Sequence, residues 1–308
     1  MVLGRRSRRL LLVVLVLAVG AYGVASWVFS ERLIGQQFTA DGSTDTSEFG
    51  LPEPEQATIA GDGVDLAAWY FQNPADAGCA MVMLHGFGGD KAEILGANPL
   101  FWDRGCHILS YDARGHGGSS RSLLTYGAHE REDLRLATDW LATRTGLALS
   151  DIGLIGWSYG AATAIQAAPR LPGLAFVIAD SSYSSLSDIA NVQGERQIGP
   201  WISAFIPGAL FVAGLRAGFD PATAAPATEI ARVEAPVLLI HSRIDGFTPV
   251  EHSEIIFGNS DQSRTRLIIP EWDAPHARSY EVDPVAYSAL VDTFLNDFAP
   301  DFPGRAEP

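Results

Sequence analysis

The chain alternates short, β-branched apolar segments with longer segments of helical periodicity, and this alternation is the feature that most constrains its fold. Strands are predicted at residues 64–71, 80–84, 108–111, 152–155, 175–179, 237–240 and 266–269. Helices are predicted at residues 127–144, 161–168 and 284–298. A further strand before Gly61-Asp62-Gly63 would form a hairpin with the first of these strands. The pattern predicts an α/β fold with a mostly parallel, eight-stranded sheet and helices on both faces.

The segment between residues 181 and 235 departs from this alternation, because it is longer than a crossover between two parallel strands requires. It contains an apolar run at residues 201–215 that Pro207-Gly208 interrupts. The run is too short and too broken to be a membrane span. We therefore predict a small helical cap insertion at about residues 183–228, with apolar side chains that face either the core or a substrate cleft.

A long apolar segment near the N-terminus follows a cluster of arginines at positions 5, 6, 8 and 9. Leu10 to Phe29 is a run of about 20 residues without a charged side chain, and a helix of that length spans the ~30 Å hydrocarbon core of a bilayer. Flanking arginines are retained on the cytoplasmic side of a membrane. The segment therefore predicts an N-terminal transmembrane helix in the cell membrane, single-pass, with a cytoplasmic N-terminus and an extracytoplasmic domain after Glu31.

A cleaved signal peptide is the alternative interpretation of this segment, with a small-residue cleavage site at Ala21-Tyr22-Gly23 or Val24-Ala25-Ser26. The apolar run is longer than the core of a usual signal peptide, which favours a retained anchor. Cleavage would give a secreted protein, so both interpretations export the domain. The predicted organisation is a basic segment and anchor at residues 1–30, a linker at 31–54, the folded domain at 55–300 and a tail at 301–308.

Net charge and cysteine content limit the classes of partner. The formal net charge of −15 leaves no basic face for nucleic-acid phosphates, so a nucleic-acid partner is not expected. Two cysteines, Cys79 and Cys106, are too few to indicate a metal site. Each precedes a predicted strand, and two interpretations stay open. They form a disulfide in an exported domain, or they are two buried thiols, since neighbouring parallel strands seldom offer good disulfide geometry.

The pentapeptide Gly156-Trp157-Ser158-Tyr159-Gly160 is the candidate nucleophile turn. It follows a predicted strand and precedes a helix rich in small residues. A serine on such a sharp turn has strained backbone angles, and the flanking glycines remove side chains that would clash there. The turn also places the hydroxyl at a helix N-terminus, where developing negative charge is favoured. We predict that Ser158 is a nucleophile.

A serine hydroxyl needs a base, and the base needs a third group that orients it. His276 is the best-placed histidine, because it lies after the last predicted strand and before the last helix. Asp245 follows a buried strand and is the preferred orienting acid, with Asp180 as its rival. His241 and His252 are interpreted as structural residues.

Acyl transfer also requires hydrogen-bond donors for an oxyanion. The amide of Tyr159, directly after the nucleophile, is one candidate, and the amide of Phe87 in the loop His85-Gly86-Phe87-Gly88-Gly89 is the second. A phosphate-binding loop is excluded for this glycine cluster, because its spacing matches neither nucleotide-binding motif.

With these motifs, the sequence resembles the α/β-hydrolase superfamily over roughly residues 55–300. The matching pieces are His85-Gly86, Tyr111-Asp-Ala-Arg-Gly-His-Gly-Gly-Ser119, Gly156-Trp-Ser-Tyr-Gly160, His241-Ser-Arg-Ile-Asp245 and Pro275-His276-Ala277. The segments Thr125–Leu134 and His276–Pro284 are similar to a bacterial branch of membrane-anchored serine hydrolases, mostly uncharacterised in substrate.

The resemblance implies an α/β-hydrolase fold, a Ser158–Asp245–His276 triad and an oxyanion hole made by the Phe87 and Tyr159 amides. It also implies that the loop at Asp112, Arg114 and Gly115 lies behind the site, and we interpret these residues as structural. Trp157 is bulky for its position in the turn and is expected to narrow the cleft.

The leading functional hypothesis is a carboxylesterase-like serine hydrolase of the carboxylic-ester class (EC 3.1.1). Its expected partner is a small-molecule ester, acyl or lipid-like, and it is expected to need no cofactor or metal. Thioesterase and peptidase or amidase activity stay open, because the same three side chains support them. A non-catalytic, membrane-anchored binding protein is the alternative from another class, since a fold alone does not fix a function.

Overall fold

A computed structural model of the protein describes residues 5–39, 44–75 and 78–303. One eight-stranded sheet forms its centre, with the strands β1 (Glu55–Ala60), β2 (Asp65–Phe71), β3 (Ala80–Leu84), β4 (His107–Tyr111), β5 (Ile152–Trp157), β6 (Phe176–Asp180), β7 (Val237–Ile240) and β8 (Thr265–Ile268). The strand order is β1-β2-β4-β3-β5-β6-β7-β8. Only β2 pairs antiparallel, with β1 and with β4, and the other neighbours are parallel. The predicted mostly parallel sheet is confirmed.

Ten α-helices lie in the described part of the chain. They are α1 (Arg5–Ile34), α2 (Pro99–Trp102), α3 (Glu130–Thr145), α4 (Tyr159–Ala167), α5 (Leu186–Ile198), α6 (Ile206–Ala217), α7 (Pro226–Glu229), α8 (Glu251–Gly258), α9 (Ser279–Val282) and α10 (Pro284–Phe298). Helices α3, α4 and α8 cover one face of the sheet, and α2 and α10 cover the other. The central strands are buried on both faces, which explains why they read as continuous apolar runs.

The two faces of β3 show how the core divides. Val82 and Leu84 pack with the α3 and α4 side, whereas Met81 and Met83 pack with the α10 side. Successive side chains of a strand point to opposite faces, so a five-residue apolar strand supplies both halves of the core. Strands β5, β6, β7 and β8 are parallel, so their carboxyl ends lie at one edge of the sheet. Loops at this edge can gather functional side chains.

The predicted cap is present between β6 and β7. Its main helices, α5 and α6, lie within the predicted range of 183–228. Ala190, Ile202 and Ile206 form a small apolar cluster with Phe29 and Leu33 of α1. The cap thus packs against the N-terminal helix as well as against the domain.

Helix α1 is long and apolar enough over Arg8–Ile34 to cross a membrane, and an 18-residue window within it has a mean hydropathy of 2.3. It is the one such helix among residues 5–39, 44–75 and 78–303. The side chains from Leu10 to Leu17 are exposed along it.

The segment after α1 differs from the expected free linker. Helix α1 continues to Ile34, which is fully buried, and the Phe38 amide donates a hydrogen bond of 2.9 Å to the Gly115 carbonyl. Gln37 Nε2 donates to the Ser122 carbonyl at 2.6 Å. Residues 31–39 therefore lie against the domain, because Ile34 and Phe38 supply apolar contacts that the polar composition of the segment concealed. Residues 40–43 of the predicted linker lie outside the described residues.

The second residue of the predicted tail belongs to the core. Phe302 is buried, and its ring centroid lies 4.8 Å from that of Phe176. Residues 304–308 of the tail lie outside the described residues.

The two cysteines form a disulfide. Cys79 and Cys106 stand directly before β3 and β4, with 4.7 Å between their Cα atoms. The first paired residues of these strands are Ala80 and His107, so the bond joins the ends of two parallel neighbours just outside their ladder. It lies at the amino ends of the strands, opposite the edge that carries the candidate nucleophile.

Removing this disulfide is expected to lower stability without removing activity. Cys79→Ala with Cys106→Ala opens a loop between residues 27 positions apart, which we expect to lower the free energy of unfolding by about 3–4 kcal/mol. Urea unfolding measures the loss. Dithiothreitol should produce a similar shift in the wild-type protein and none in the double variant. An unchanged wild-type unfolding midpoint in dithiothreitol would contradict a stabilising bond.

Candidate active site

Ser158 lies on a strained turn between β5 and α4. Its backbone angles are φ 51° and ψ −108°, a conformation that non-glycine residues rarely adopt. A Cβ atom at Gly160 would lie 2.6 Å from the Leu84 carbonyl oxygen, and one at Gly156 would collide with the Gly160 backbone. The two flanking glycines therefore permit the turn, and the Ser158 side chain is held at the start of α4 with only 6% of the residue exposed.

His276 lies within hydrogen-bond distance of Ser158. It stands in the loop between β8 and α9, and its Nε2 atom is 2.8 Å from Ser158 Oγ. Its Nδ1 atom is 2.7 Å from Asp245 Oδ2. The Phe247 ring lies against the imidazole, with 4.8 Å between the centroids. The structure thus brings together the three side chains proposed from sequence as nucleophile, base and acid.

Asp245 is fixed by its own loop after β7. Its Oδ1 atom accepts hydrogen bonds of 2.8 Å from the amides of Phe247 and Thr248, which leaves Oδ2 for His276. Burial opposes ionisation of Asp245, but hydrogen bonds from His241 and His276 favour it, and the pKa of Asp245 lies below its ordinary value. The side chain is therefore a carboxylate at neutral pH and can hold an imidazolium that forms beside it.

His241 contacts the candidate active site, although the sequence alone indicated only a structural role. Its Nε2 atom is 3.3 Å from Asp245 Oδ2 and 2.8 Å from the Thr248 carbonyl, and its Nδ1 atom is 2.6 Å from Ser253 Oγ. The imidazole is fully buried and contacts two residues of the loop after β7, Asp245 and Thr248. The spacing of four residues between His241 and Asp245, directly after a strand, is the signal that could have indicated this contact. His252 instead accepts a hydrogen bond of 3.1 Å from the Ser184 amide at its Nδ1 atom.

Asp180, the rival acid, occupies a different position. Its Oδ1 atom accepts from Ser181 Oγ at 2.9 Å, and the residue is fully buried at the end of β6. Burial raises the pKa of Asp180 to about 6. Its main-chain carbonyl accepts the Ser158 amide at 2.8 Å, so Asp180 supports the turn through its backbone. The geometry favours Asp245 as the partner of His276.

The loop proposed to supply an oxyanion donor runs close to Ser158. A Cβ atom at Gly86 would lie 3.9 Å from Ser158 Cβ. The Gly88 amide donates to His116 Nε2 at 3.2 Å. Burial lowers the pKa of His116 to about 4, so the imidazole is neutral and can accept this bond. Phe87 lies between these two glycines, and Tyr159 begins α4, where the first amides have no acceptor within the helix. Their role as oxyanion donors stays a prediction.

The loop that follows β4 is tied down by ion pairs. Asp112 accepts from Lys91 Nζ at 2.7 Å, and Arg114 Nε donates to Asp133 Oδ2 at 2.7 Å. The Ala113 amide donates to His85 Nε2 at 3.0 Å, which joins this loop to the one that carries Phe87. These contacts fit the structural role expected for Asp112 and Arg114.

Two cavities meet at Ser158. The first has a volume of about 180 Å³ and is mainly apolar, with walls from α1, α5 and α6 together with Phe87 and Tyr183. The second has a volume of about 480 Å³ and is more polar, with Glu93, His276 and Arg278 in its lining. Trp157 lines the second cavity, and its narrowing of the cleft stays a prediction. A bond held at Ser158 Oγ could place one substituent in each cavity.

No group of histidine, cysteine, aspartate or glutamate side chains is arranged to hold a metal ion in the part of the chain that the structure describes.

A mostly parallel sheet that carries a serine on a strained strand-to-helix turn, with an aspartate and a histidine on later loops, defines the class of α/β hydrolases. The chain belongs to the alpha/beta hydrolase family, whose model matches residues 81–305. YqkD of Bacillus subtilis is 30% identical to it over 242 residues, which cover 76% of this chain and 76% of YqkD.

Solved structures share the fold. The esterase Pf2001 of Pyrococcus furiosus superposes with a TM-score of 0.68 at 22% identity, covering 85% of this chain and 99% of the esterase. The acylaminoacyl peptidase of Pyrococcus horikoshii superposes with a TM-score of 0.63 at 19% identity, covering 86% of this chain and 45% of the peptidase. At such identities the likeness shows the fold, and the neighbours include both esterase and peptidase.

Proposed function

We propose that the protein hydrolyses carboxylic esters through an acyl-enzyme formed on Ser158. The observation that carries the proposal is the continuous contact from Ser158 Oγ to His276 Nε2 and from His276 Nδ1 to Asp245 Oδ2, at 2.8 and 2.7 Å. In this arrangement the imidazole can accept the serine proton while the carboxylate fixes its tautomer and stabilises the imidazolium.

The reaction balances with these groups alone. Ser158 Oγ forms a bond to the ester carbonyl carbon, and its proton passes to His276 Nε2. The tetrahedral oxyanion then faces the amides of Phe87 and Tyr159, which we assign as its donors. When the carbon–oxygen bond to the alcohol breaks, His276 returns the proton to the leaving alcohol. Water then repeats the sequence, releases the carboxylic acid and restores Ser158.

Peptidase or amidase activity is the second candidate. The acylaminoacyl peptidase of Pyrococcus horikoshii shares the fold, and the same triad can cleave an amide. The mainly apolar cavity beside Ser158 favours an acyl ester over a peptide, because its walls offer few polar partners for a peptide backbone.

A substrate panel separates these activities. The full chain should turn over p-nitrophenyl esters with a much higher kcat/KM than aminoacyl p-nitroanilides and the matching thioesters. Turnover of the anilides without the esters would replace this proposal with the peptidase assignment. Binding without turnover of any member would favour a non-catalytic role.

We also propose that α1 is a retained membrane anchor and that the catalytic domain lies outside the cytoplasm. The Tyr22 ring stacks on Phe205 of the cap, with 5.3 Å between the centroids, and Tyr22 Oη donates to the Ala204 carbonyl at 3.2 Å. Cleavage near Val24 or Trp27 would remove these contacts. The disulfide supports an oxidising compartment. A mature chain that starts near Val24 or Trp27 in mass spectrometry would contradict the anchor.

A further inference from the structure

The anchor helix forms part of the wall of the apolar cavity beside Ser158. Phe29, Arg32 and Leu33 of α1 and Gln36 just after it line the cavity together with residues of α5 and α6. Ser158 is also part of its lining. A helix that served only as a tether would have no reason to line the space next to the candidate nucleophile.

Helices α1 and α6 pack closely and run in the same direction. Tyr22 stacks on Phe205 at 5.3 Å, and further along both helices Arg216 Nη1 donates to Ser30 Oγ at 3.1 Å. A side chain at Gly208 would collide with Ser26 and Tyr22, so the glycine permits this close approach. Contacts thus continue over more than two turns of α1, and the cap is held at a fixed position along the anchor.

This packing sets the depth of the cap in a bilayer. The uncharged run of α1 ends at Phe29, and Tyr22 precedes Phe29 by about 10 Å of helix rise. The start of α6 lies beside Tyr22 and is therefore placed within the outer part of the hydrocarbon layer. Trp201, Phe211 and Leu215 of the cap are 58%, 67% and 70% exposed, as lipid-facing side chains would be.

The polar groups lie at the other end of the contact. Arg216 forms an ion pair with Glu31, and its guanidinium lies 4.5 Å from the centroid of the Trp27 ring. Trp27 lies near the end of the uncharged run, and Arg216 pairs with Glu31, the first charged residue after it. Such an arrangement is typical of the interface between hydrocarbon and headgroups. The cavity wall from Phe29 to Leu33 then coincides with this interface.

From this placement we propose that the cavity receives the acyl chain of a membrane lipid ester from the outer leaflet. Phe29 and Leu33 determine the specificity for that chain. This inference rests on the ester hydrolase proposed above and names its substrate class. The larger, more polar cavity beyond Ser158 then takes the alcohol part of the lipid.

The test uses the full chain in phosphatidylcholine vesicles with two esters, water-soluble p-nitrophenyl butyrate and bilayer-dissolved p-nitrophenyl palmitate. Leu33→Trp fills the cavity. We expect it to lower kcat/KM for palmitate at least about tenfold more than kcat/KM for butyrate, because each lost methylene contact weakens transition-state binding. Fluorophosphonate labelling of Ser158 should persist. Val28→Trp is the matched control, since Val28 is 46% exposed on the same helix and does not line the cavity.

Phe29→Ala is a second variant that tests the inference if Leu33→Trp does not fold. It enlarges the cavity, and we expect its ratio of palmitate to butyrate turnover to rise above the wild-type ratio. Wild-type turnover of butyrate without palmitate, equal losses for both esters in Leu33→Trp, or the same selectivity change in Val28→Trp would overturn the inference. A wild-type protein that hydrolyses neither ester and resists labelling would instead refute the ester hydrolase itself.

Discussion

Replacing Ser158 with alanine is expected to lower kcat for p-nitrophenyl butyrate by about 10⁵- to 10⁶-fold, the scale seen when a triad serine is removed. The variant keeps the Cβ atom and the strained turn, but it lacks the Oγ atom that lies 2.8 Å from His276 Nε2. Only transition-state stabilisation by the amides and the cavity walls would remain. Steady-state kinetics with the full chain measure the loss.

Ser110→Ala is the matched control for this substitution. Ser110 is a buried serine on β4, away from His276, and the same change of side chain there should leave kcat near the wild-type value. Thermal unfolding should be similar for both variants. If Ser158→Ala, like Ser110→Ala, retained most of the esterase activity, Ser158 would not be the nucleophile.

The second large effect is expected for Asp245→Asn, which should lower kcat by about 10⁴-fold, as it does in serine hydrolases whose triad acid is neutralised. An amide at this position donates as well as accepts, so it no longer fixes the His276 tautomer that accepts the serine proton. It also removes the charge that stabilises the imidazolium. KM should change much less than kcat, since Asp245 is buried behind His276 and does not line either cavity.

Asp180→Asn makes the same chemical change at the rival carboxylate. Asp180 bonds to Ser181 rather than to His276, so its activity should remain near that of the wild-type protein. The two variants together decide between the acids. A loss for Asp180→Asn as large as that for Asp245→Asn would show that the loop geometry does not identify the orienting acid.

The sequence was sufficient for the sheet and for the order of the three side chains because both depend on local signals. A buried strand followed by Gly-Trp-Ser-Tyr-Gly and a small-residue helix specifies the turn without reference to distant residues. Asp245 and His276 follow their strands directly, and parallel strands bring their carboxyl ends to one edge. These predictions need only local motifs and the strand arrangement of the α/β-hydrolase fold.

The features that the sequence did not reveal depend on pairs of distant residues. Tyr22 and Phe205 are separated by most of the chain, and nothing in the local pattern of α1 shows that its last turns face a cap. Ile34 and Phe38 sit in a polar segment that reads as a linker until the domain surface beside it is known. The disulfide likewise stayed open because it requires β3 and β4 to be neighbours with their first residues in register.

The candidate site is shared between the domain and helix α1. Ser158 lines both the apolar cavity that α1 helps to form and the cavity that His276 lines. Function at this site would then depend on the anchor as part of the substrate pocket.

Covalent trapping tests most directly whether Ser158 is a nucleophile activated by His276. The full chain is treated with a fluorophosphonate, digested and sequenced by tandem mass spectrometry. The account predicts one phosphonylated peptide, with the modification on Ser158, and a strongly reduced labelling rate in His276→Ala. An unlabelled Ser158 in the folded wild-type protein, or labelling at another serine that persists in Ser158→Ala, would contradict it.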